Sequence, residues 1–242
     1  NNSVFCALHR RSGTAGTSIA KGGMGSVTQA IAAAATQTGA TIRTSSPVAR
    51  ILMENGQVQG VELEGGEKVM GGTVVSNADP KTTFFKLLGA RHLEAGIVRK
   101  IKNIRMRGNA SKLHLALNGL PEFTGLDKTQ AGERLVIAPD IEYVERAFNH
   151  AKYGEYSAQP VAEITIPSLN DDSLAPTGQH VLSAVVQYTP YELRAGWPEA
   201  REAFKEKAID LLEQYAPDIR EQIVHAELLT PADIEREFRI QG

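Results

Sequence analysis

The chain has 242 residues, of which 42% are hydrophobic, and a formal net charge of −2. That charge gives no reason to expect a nucleic-acid-binding protein, which needs a concentrated basic face. No run of about 18 apolar residues occurs, which argues against a membrane span. The single cysteine, Cys6, rules out an internal disulfide, fits a reducing compartment, and is expected to be a small buried hydrophobe. Composition therefore predicts a globular protein of the cytoplasm or an organelle matrix, with peripheral membrane association left open.

The first element that the sequence predicts is a helix from about Met24 to Thr38. Gly22 and Gly23 precede it, and Gly39 follows it as a C-terminal cap. Its apolar residues are spaced for one buried face, which comprises Val27, Ile31, Ala34 and Ala35. The glycines could hold a phosphate at the helix N-terminus. They do not form G-x-G-x-x-G, however, so a tight turn beside another element is the favoured interpretation.

A series of short strands follows the helix. Asn55-Gly56 predicts a two-residue hairpin, because a type I′ turn needs positive φ at both central residues. Gly65-Gly66 predicts the next turn. The expected strands are 41–44, 48–53, 58–63, one around Val69, and an apolar run at 73–76.

The second half of the chain is expected to mix strands with longer helices. Asp79-Pro80 is typical of a helix start, and this helix should end at Gly89. Alternation of Leu113, Leu115 and Leu117 with polar residues predicts a half-buried strand. Further strands are expected at 135–138, 162–166 and 181–188. Helices are expected at 93–101, at 141–152 with Asp140 as its cap, from Pro198 to Pro217, and after Thr230 as an N-cap.

Few residues stand out as chemical groups of a site. The six histidines are scattered without metal-ligand spacing, so no metal site is predicted. His114 is expected at a surface or interface, and the surroundings of His180 are left open. Residues 76–79 follow a predicted parallel strand, where ligands of α/β sheets bind, but an N-cap explains Asp79 equally well. No residue qualifies as a catalytic acid, base or nucleophile, so the catalytic residues are unknown.

Several segments together resemble the phytoene desaturase-related family of FAD-dependent oxidoreductases, in the pyridine-nucleotide-disulfide-oxidoreductase-like branch. The resemblance covers nearly the whole chain and is most specific in GGMGSVTQAI, GATIRTSSPVARIL, NGQVQGVELEGGE, VVSNADP and LLTPADIEREF. It implies an α/β with α+β fold, in which residues 1–80 form part of a two-dinucleotide-binding-domain FAD domain with a β-meander. Residues 81–242 would then form a substrate domain of mostly antiparallel sheet and helices.

The resemblance also implies a cofactor and a substrate class. Val48 would lie beside the adenine of FAD, and Ser76, Asn77 and Ala78 would return the chain to the cofactor. Strands around His114, Ile164 and Val185 would cover the flavin face. Hydride would pass from a small hydrophobic or amine-like substrate to the flavin, which itself carries the difficult chemistry.

One departure from the family is important for the cofactor. The N-terminal pyrophosphate-binding G-x-G-x-x-G and the C-terminal flavin-contacting glycine segment have no match here, so we expect an internal portion of a longer flavoprotein. Alone, it should be inactive and fail to retain FAD, and an uncovered apolar face could drive self-association. The alternative is a non-enzymatic ligand-binding or protein-interaction domain on the same scaffold.

Overall fold

The computed structural model describes residues 20–241, so the expectation for Cys6 lies outside the described residues. These residues form two compact units. The larger comprises residues 20–31 and 107–240, and the smaller comprises residues 32–106 with Gln241. Helix α1 (Met24–Gln37) begins in the larger unit and ends in the smaller one. The assignment of residues 1–80 and 81–242 to an FAD domain and a substrate domain stays a prediction.

The smaller unit contains a three-stranded antiparallel meander. Its strands are β1 (Val48–Glu54), β2 (Gln57–Leu63) and β3 (Lys68–Met70), in that spatial order. Asn55 and Gly56 have φ values of 49° and 78°, so the predicted type I′ hairpin is confirmed. The meander predicted from turn residues is therefore present.

Two helical segments complete the smaller unit. The first has π-helical hydrogen bonding over Thr82–Leu88, and a single 3-10 turn, Ala90–His92, follows it. The Asp79 carboxylate accepts hydrogen bonds from the backbone N–H groups of Lys81 (2.8 Å) and Thr82 (3.0 Å). Helix α2 (Ala95–Lys102) comes next and buries Ile101. The predicted helix start is thus confirmed, although the helix has π rather than α hydrogen bonding.

The larger unit is built on a five-stranded antiparallel sheet in the order β5-β6-β7-β4-β8. These strands are β4 (Ala110–Leu117), β5 (Leu135–Ile137), β6 (Val161–Thr165), β7 (His180–Gln187) and β8 (Ile223–Leu229). The helices are α3 (Ile141–Lys152), α4 (Trp197–Glu213), α5 (Ile219–Gln222) and α6 (Pro231–Phe238). Single 3-10 turns lie at Lys128–Gln130, Pro167–Leu169 and Asp172–Leu174.

One face of this sheet packs against α4 to form the main core. Leu113, Leu115 and Leu117 are at most 1% exposed, because alternate residues of β4 point to this side. Phe204 of α4 is fully buried, and each such side chain stabilises the fold by about 2 kcal/mol. Trp197 begins α4, and its indole N–H donates to the carbonyl of Pro190 at 3.1 Å. The alternation predicted for β4 therefore defines which face is buried.

Helix α6 is attached to α4 through a buried carboxylate. Asp233 accepts hydrogen bonds from the N–H and hydroxyl of Thr230, at 2.9 and 2.7 Å, which completes a capping box. Arg201 of α4 and Arg236 of α6 lie 2.7 and 2.8 Å from the same carboxylate, which is 1% exposed. The sequence predicted the cap at Thr230, but not the ion pairs.

Several predicted elements are wrong. Residues 41–44 and 73–76 form no strand, and all strand pairs in the described part of the chain are antiparallel. A strand needs a hydrogen-bonding neighbour, which neither segment has among the described residues. The face predicted to be buried on α1 is also not buried, with Ile31 65% exposed. Strand β8 was missed altogether.

Candidate functional site

Val48 is the first of the predicted cofactor residues. It opens β1, is half-buried, and is paired with Leu63 of β2. Strand β1 also contacts the π-helical segment Thr82–Leu88, which begins four residues after the last of the other three predicted cofactor residues, Ser76, Asn77 and Ala78. All four therefore belong to the smaller unit.

Ser76, Asn77 and Ala78 lie in an exposed segment before that helix. The hydroxyl of Ser76 lies 2.7 Å from that of Thr83 and accepts a hydrogen bond from the N–H of Ala78 at 3.3 Å. Thr83 also donates to the carbonyl of Ala78 at 3.2 Å. No described residue hydrogen-bonds the side-chain amide of Asn77. The segment thus has a fixed backbone and one free polar side chain.

Asp79 supports the same segment electrostatically. Burial raises the pKa of its carboxyl, but hydrogen bonds from Thr82 and Lys81 outweigh it and lower the pKa overall. The charged form therefore persists at neutral pH and caps the helix, whose N-terminal N–H groups favour an anion. The N-cap interpretation of Asp79 is the one that the contacts favour.

The glycine turn before α1 already has an anionic partner. Gly22 and Gly23 have φ values of 83° and 76°, and the N–H of Gly22 donates to the Asp171 carboxylate. The hydroxyl of Ser173 donates to the same carboxylate at 2.6 Å, and both contacts lower the pKa of Asp171. The N–H of Gly22 is therefore not available to a phosphate, and the turn interpretation fits better.

The larger unit has a second, polar face on its sheet, opposite the core. Lys112 and Glu163 flank Val185 in one row across β4, β7 and β6. Part of this face forms an open concavity of about 330 Å³. Its lining residues are Lys112, Arg134, Glu163, Thr165, Ser183 and Val185. We call this set the open-face pocket.

A second row crosses the same face beside that pocket. His114 is paired with Ser183, and Ser183 with Thr165. The Ser183 hydroxyl lies 3.3 Å from Nδ1 of His114. Ile164, by contrast, is fully buried on the core side. The covering of the flavin face by the strands around His114, Ile164 and Val185 stays a prediction, in which the Ile164 side chain has no part.

Lys112 and His114 have shifted proton affinities. Burial lowers the pKa of the Lys112 ammonium, while Glu163 opposes the shift, and no described carboxylate lies within 4.0 Å of it. Burial also lowers the pKa of His114, and the neighbouring Lys112 lowers it further. Lys112 lines the open-face pocket and His114 lies in the next row, so both groups with shifted pKa values are candidates for function.

This arrangement could bind a polar group and exchange a proton with it. Lys112 can donate hydrogen bonds to a ligand atom. The lowered pKa of His114 favours its uncharged imidazole, which can accept a proton. Arg134 lies 4.0 Å from Glu163, which makes that pair weak. No catalytic residue was predicted from the sequence, where Lys112 is only one of the polar residues that alternate with the leucines of β4. The alternation places it beside His114, but its cross-strand neighbours depend on a register that the sequence does not state.

Other candidate groups have structural explanations. Nδ1 of His180 lies 3.1 Å from the Ser168 hydroxyl, which also accepts the N–H of Val181. Over residues 20–241, no three His, Cys, Asp or Glu side chains are grouped as a metal site. No helix in that range is long and apolar enough to cross a bilayer.

Comparison with known proteins places this geometry in a family. The model of the family described as flavin-containing amine oxidoreductase matches residues 1–227. The chain belongs to the flavin-containing amine oxidoreductase family. This confirms the family resemblance, and with it a flavoprotein fold.

Individual relatives agree with this membership. The chain is 38% identical over 237 residues to rat pyridine nucleotide-disulfide oxidoreductase domain-containing protein 2, covering 93% of this chain and 41% of that protein. It is 27% identical over 219 residues to the neurosporene-forming phytoene desaturase of Cereibacter sphaeroides, covering 89% of this chain and 41% of the relative. The chain thus spans about two fifths of these curated relatives.

Solved structures show the same fold. An oxidoreductase from Methanosarcina mazei superposes with a TM-score of 0.63 at 19% identity, covering 87% of this chain and 43% of that one. A Pyrococcus furiosus protein, PF1083, gives a TM-score of 0.58 at 17% identity, covering 86% and 43%. The predicted mixture of meander, antiparallel sheet and helices is confirmed.

Proposed function

We propose that this chain is a portion of an FAD-dependent oxidoreductase that moves hydride from a small hydrophobic or amine-like substrate to the flavin. The observation that carries the proposal is the match of a flavin-containing family over residues 1–227. The named activities of relatives, such as phytoene desaturation, support a substrate with an extended apolar part. When bound, FAD supplies the hydride acceptor.

The smaller unit would hold the adenine side of FAD. Val48 offers its backbone at the start of β1, and Asn77 offers an exposed amide with no hydrogen bond to a described residue. Ser76 and Ala78 would fix the approach of the chain, because Thr83 already fixes their geometry. The described residues fit this part of the cofactor. They do not fit the pyrophosphate at Gly22, whose N–H donates to Asp171.

The larger unit would contact the substrate through the open face of its sheet. Lys112 would donate a hydrogen bond to a polar substrate atom, and neutral His114 would accept a proton released from an amine-like substrate. The core-facing side of the sheet has no such role, because its side chains are packed against α4.

The alternative function is a non-enzymatic ligand-binding or protein-interaction domain on the same scaffold. The engagement of Gly22 by Asp171 favours it, since the N–H of Gly22 is not free to bind a nucleotide phosphate. We propose a cytoplasmic or organelle-matrix location for either function. Self-association is also proposed, because Val75 is 92% and Met70 66% exposed in the smaller unit. Sedimentation velocity at two concentrations would test it, and a monomer throughout would contradict it.

The deciding experiment compares visible absorption spectra after FAD addition and desalting. One sample is the 242-residue chain, and the other carries the residues that flank it in its reading frame. Flavin bands kept by the extended protein alone support a portion of a flavoenzyme whose remaining contacts lie outside this sequence. If neither protein keeps flavin, the oxidoreductase proposal fails and a ligand-binding role replaces it. Asn77→Ala in the extended protein should weaken FAD retention, whereas Asn103→Ala, also at an exposed asparagine, should not.

A further inference from the structure

One segment of the smaller unit carries a positive charge that the composition of the whole chain conceals. Residues 86–105, which we call the basic segment, contain six lysines and arginines but only one acid, Glu94. The full chain has a net charge of −2, so the remaining residues are clearly acidic. The six cations are Lys86, Arg91, Arg99, Lys100, Lys102 and Arg105. Such asymmetry within a near-neutral chain indicates a surface for an anionic partner.

The cations of the basic segment are exposed and lack ion pairs. All six side chains belong to exposed residues, and within residues 20–241 no carboxylate lies within 4.0 Å of any of them. Some arginines elsewhere in the described residues are paired: Arg220 contacts three acidic side chains, and Arg43 contacts Glu67 at 2.7 Å. Lys86 has a Coulombic attraction to Asp79, but the described carboxylates do not otherwise pair with the cations of the basic segment.

Apolar side chains lie among these charges. Helix α2 buries Ile101 beneath it, while Ile97 is 41% exposed and Ile104, just after the helix, is 39% exposed. Basic residues beside exposed aliphatic ones are typical of segments that lie at a membrane interface. The segment has no Phe, Tyr or Trp side chain to stack on bases, which disfavours single-stranded nucleic acid.

We propose that the basic segment binds the surface of a membrane containing anionic lipids, with Ile97 and Ile104 entering the interfacial layer. The lipid headgroups would supply the negative charge that the six cations lack within the protein, and each cation near such a surface strengthens binding. This inference does not depend on flavin. It can hold for either function proposed above, and its failure leaves both untouched.

The test is co-sedimentation of the 242-residue chain with vesicles. Vesicles of phosphatidylcholine alone are compared with vesicles containing 30% phosphatidylserine, at low and high salt. We expect binding only to the anionic vesicles, and its loss in high salt, because screening weakens attraction between exposed charges. Equal binding to both vesicle types, or none to either, overturns the proposal.

A matched pair of triple variants locates the surface. Arg99→Gln, Lys100→Gln and Arg105→Gln together should weaken binding about 100-fold, at roughly five-fold for each charge. The control removes the same charges from exposed positions elsewhere, through Lys68→Gln, Arg146→Gln and Arg239→Gln. Equal losses in the two variants overturn the proposal.

Two further measurements exclude rival partners and an unfolding artefact. Ile97→Asn keeps every charge and should weaken vesicle binding without changing the circular dichroism spectrum. Tighter binding to duplex DNA or to polyglutamate than to anionic vesicles overturns the proposal and indicates nucleic acid or an acidic protein instead.

Discussion

Asp233 offers a quantitative test of how α6 is attached to the larger unit. Asp233→Ala removes the capping box with Thr230 and deprives Arg201 of its carboxylate partner. Loss of a cap costs about 1 kcal/mol. Breaking a buried ion pair costs about 3–5 kcal/mol, and we take the lower end because the Arg201 side chain is 38% exposed. The sum predicts a loss of about 4 kcal/mol in the free energy of unfolding.

The sole tryptophan makes the measurement direct. Trp197 lies in the core of this unit, so its fluorescence during urea unfolding reports on the unit that contains Asp233. With an m-value of about 2 kcal/mol per molar, the urea midpoint should fall by roughly 2 M. Asp127→Ala is the matched control, because Asp127 completes an exposed capping box at Lys128–Gln130. A midpoint shift for Asp233→Ala no larger than the control's would refute this reasoning.

The same carboxylate predicts a pH dependence. Burial raises the pKa of Asp233, but hydrogen bonds from Thr230 and Arg201 outweigh it, so the folded-state pKa lies below its ordinary value of 3.8. A depressed acid pKa stabilises the fold above the unfolded-state pKa, and this stability disappears as pH falls through the folded-state pKa. The difference between wild type and Asp233→Ala should therefore be full at pH 7 and shrink below about pH 4. A difference that does not change with pH would contradict the ion-pair assignment.

Three other predictions follow from close contacts and shifted pKa values. Gly60→Ala should disrupt the meander, because a Cβ there would lie 2.1 Å from a carbonyl oxygen of β3. Gly65→Ala is the control, because a Cβ there meets nothing within 4 Å. Hydrogen exchange of the β3 amides compares the two variants. Leu115→Ala should lower the free energy of unfolding, measured with urea, by about 2–5 kcal/mol. A loss below about 1 kcal/mol would mean that this face of the sheet is not the core. By NMR, the pKa of His114 should lie below its ordinary value of 6.5, and Lys112→Met should raise it. Because the folded-state pKa of His114 is lowered, the free energy of unfolding should fall as pH drops below 6.5.

Local signals predicted the elements that depend on a few adjacent residues. The Asn55-Gly56 turn, the Asp140 cap of α3 and the Thr230 cap of α6 all formed as expected. Each is determined by short-range hydrogen bonds or by a residue's preferred φ, so the sequence window contains the whole cause. The buried face of β4 was predictable for the same reason, since alternation is local.

Strand pairing was harder to predict because it depends on distant segments. The run at 73–76 has the apolar composition of a strand, yet Val75 is 92% exposed and unpaired among the described residues. Strand β8 was missed, although it lies beside β4 in the sheet, because its sequence alternates weakly. The open-face pocket was missed for a related reason. Lys112 and Glu163 lie in one row, on either side of Val185, only because of the register of three strands.

The sheet order of the larger unit sets the order in which the chain can fold during synthesis. Strand β4 is the first of the five strands to be made, but its two neighbours, β7 and β8, are the last. Its leucines must therefore wait for more than half of the unit to leave the ribosome before they are covered, which makes folding slow and exposes β4 to aggregation. The meander, whose strands pair in the order in which they appear, can form much earlier. A nascent chain stopped before β8 should therefore present an ordered meander beside an unfinished sheet.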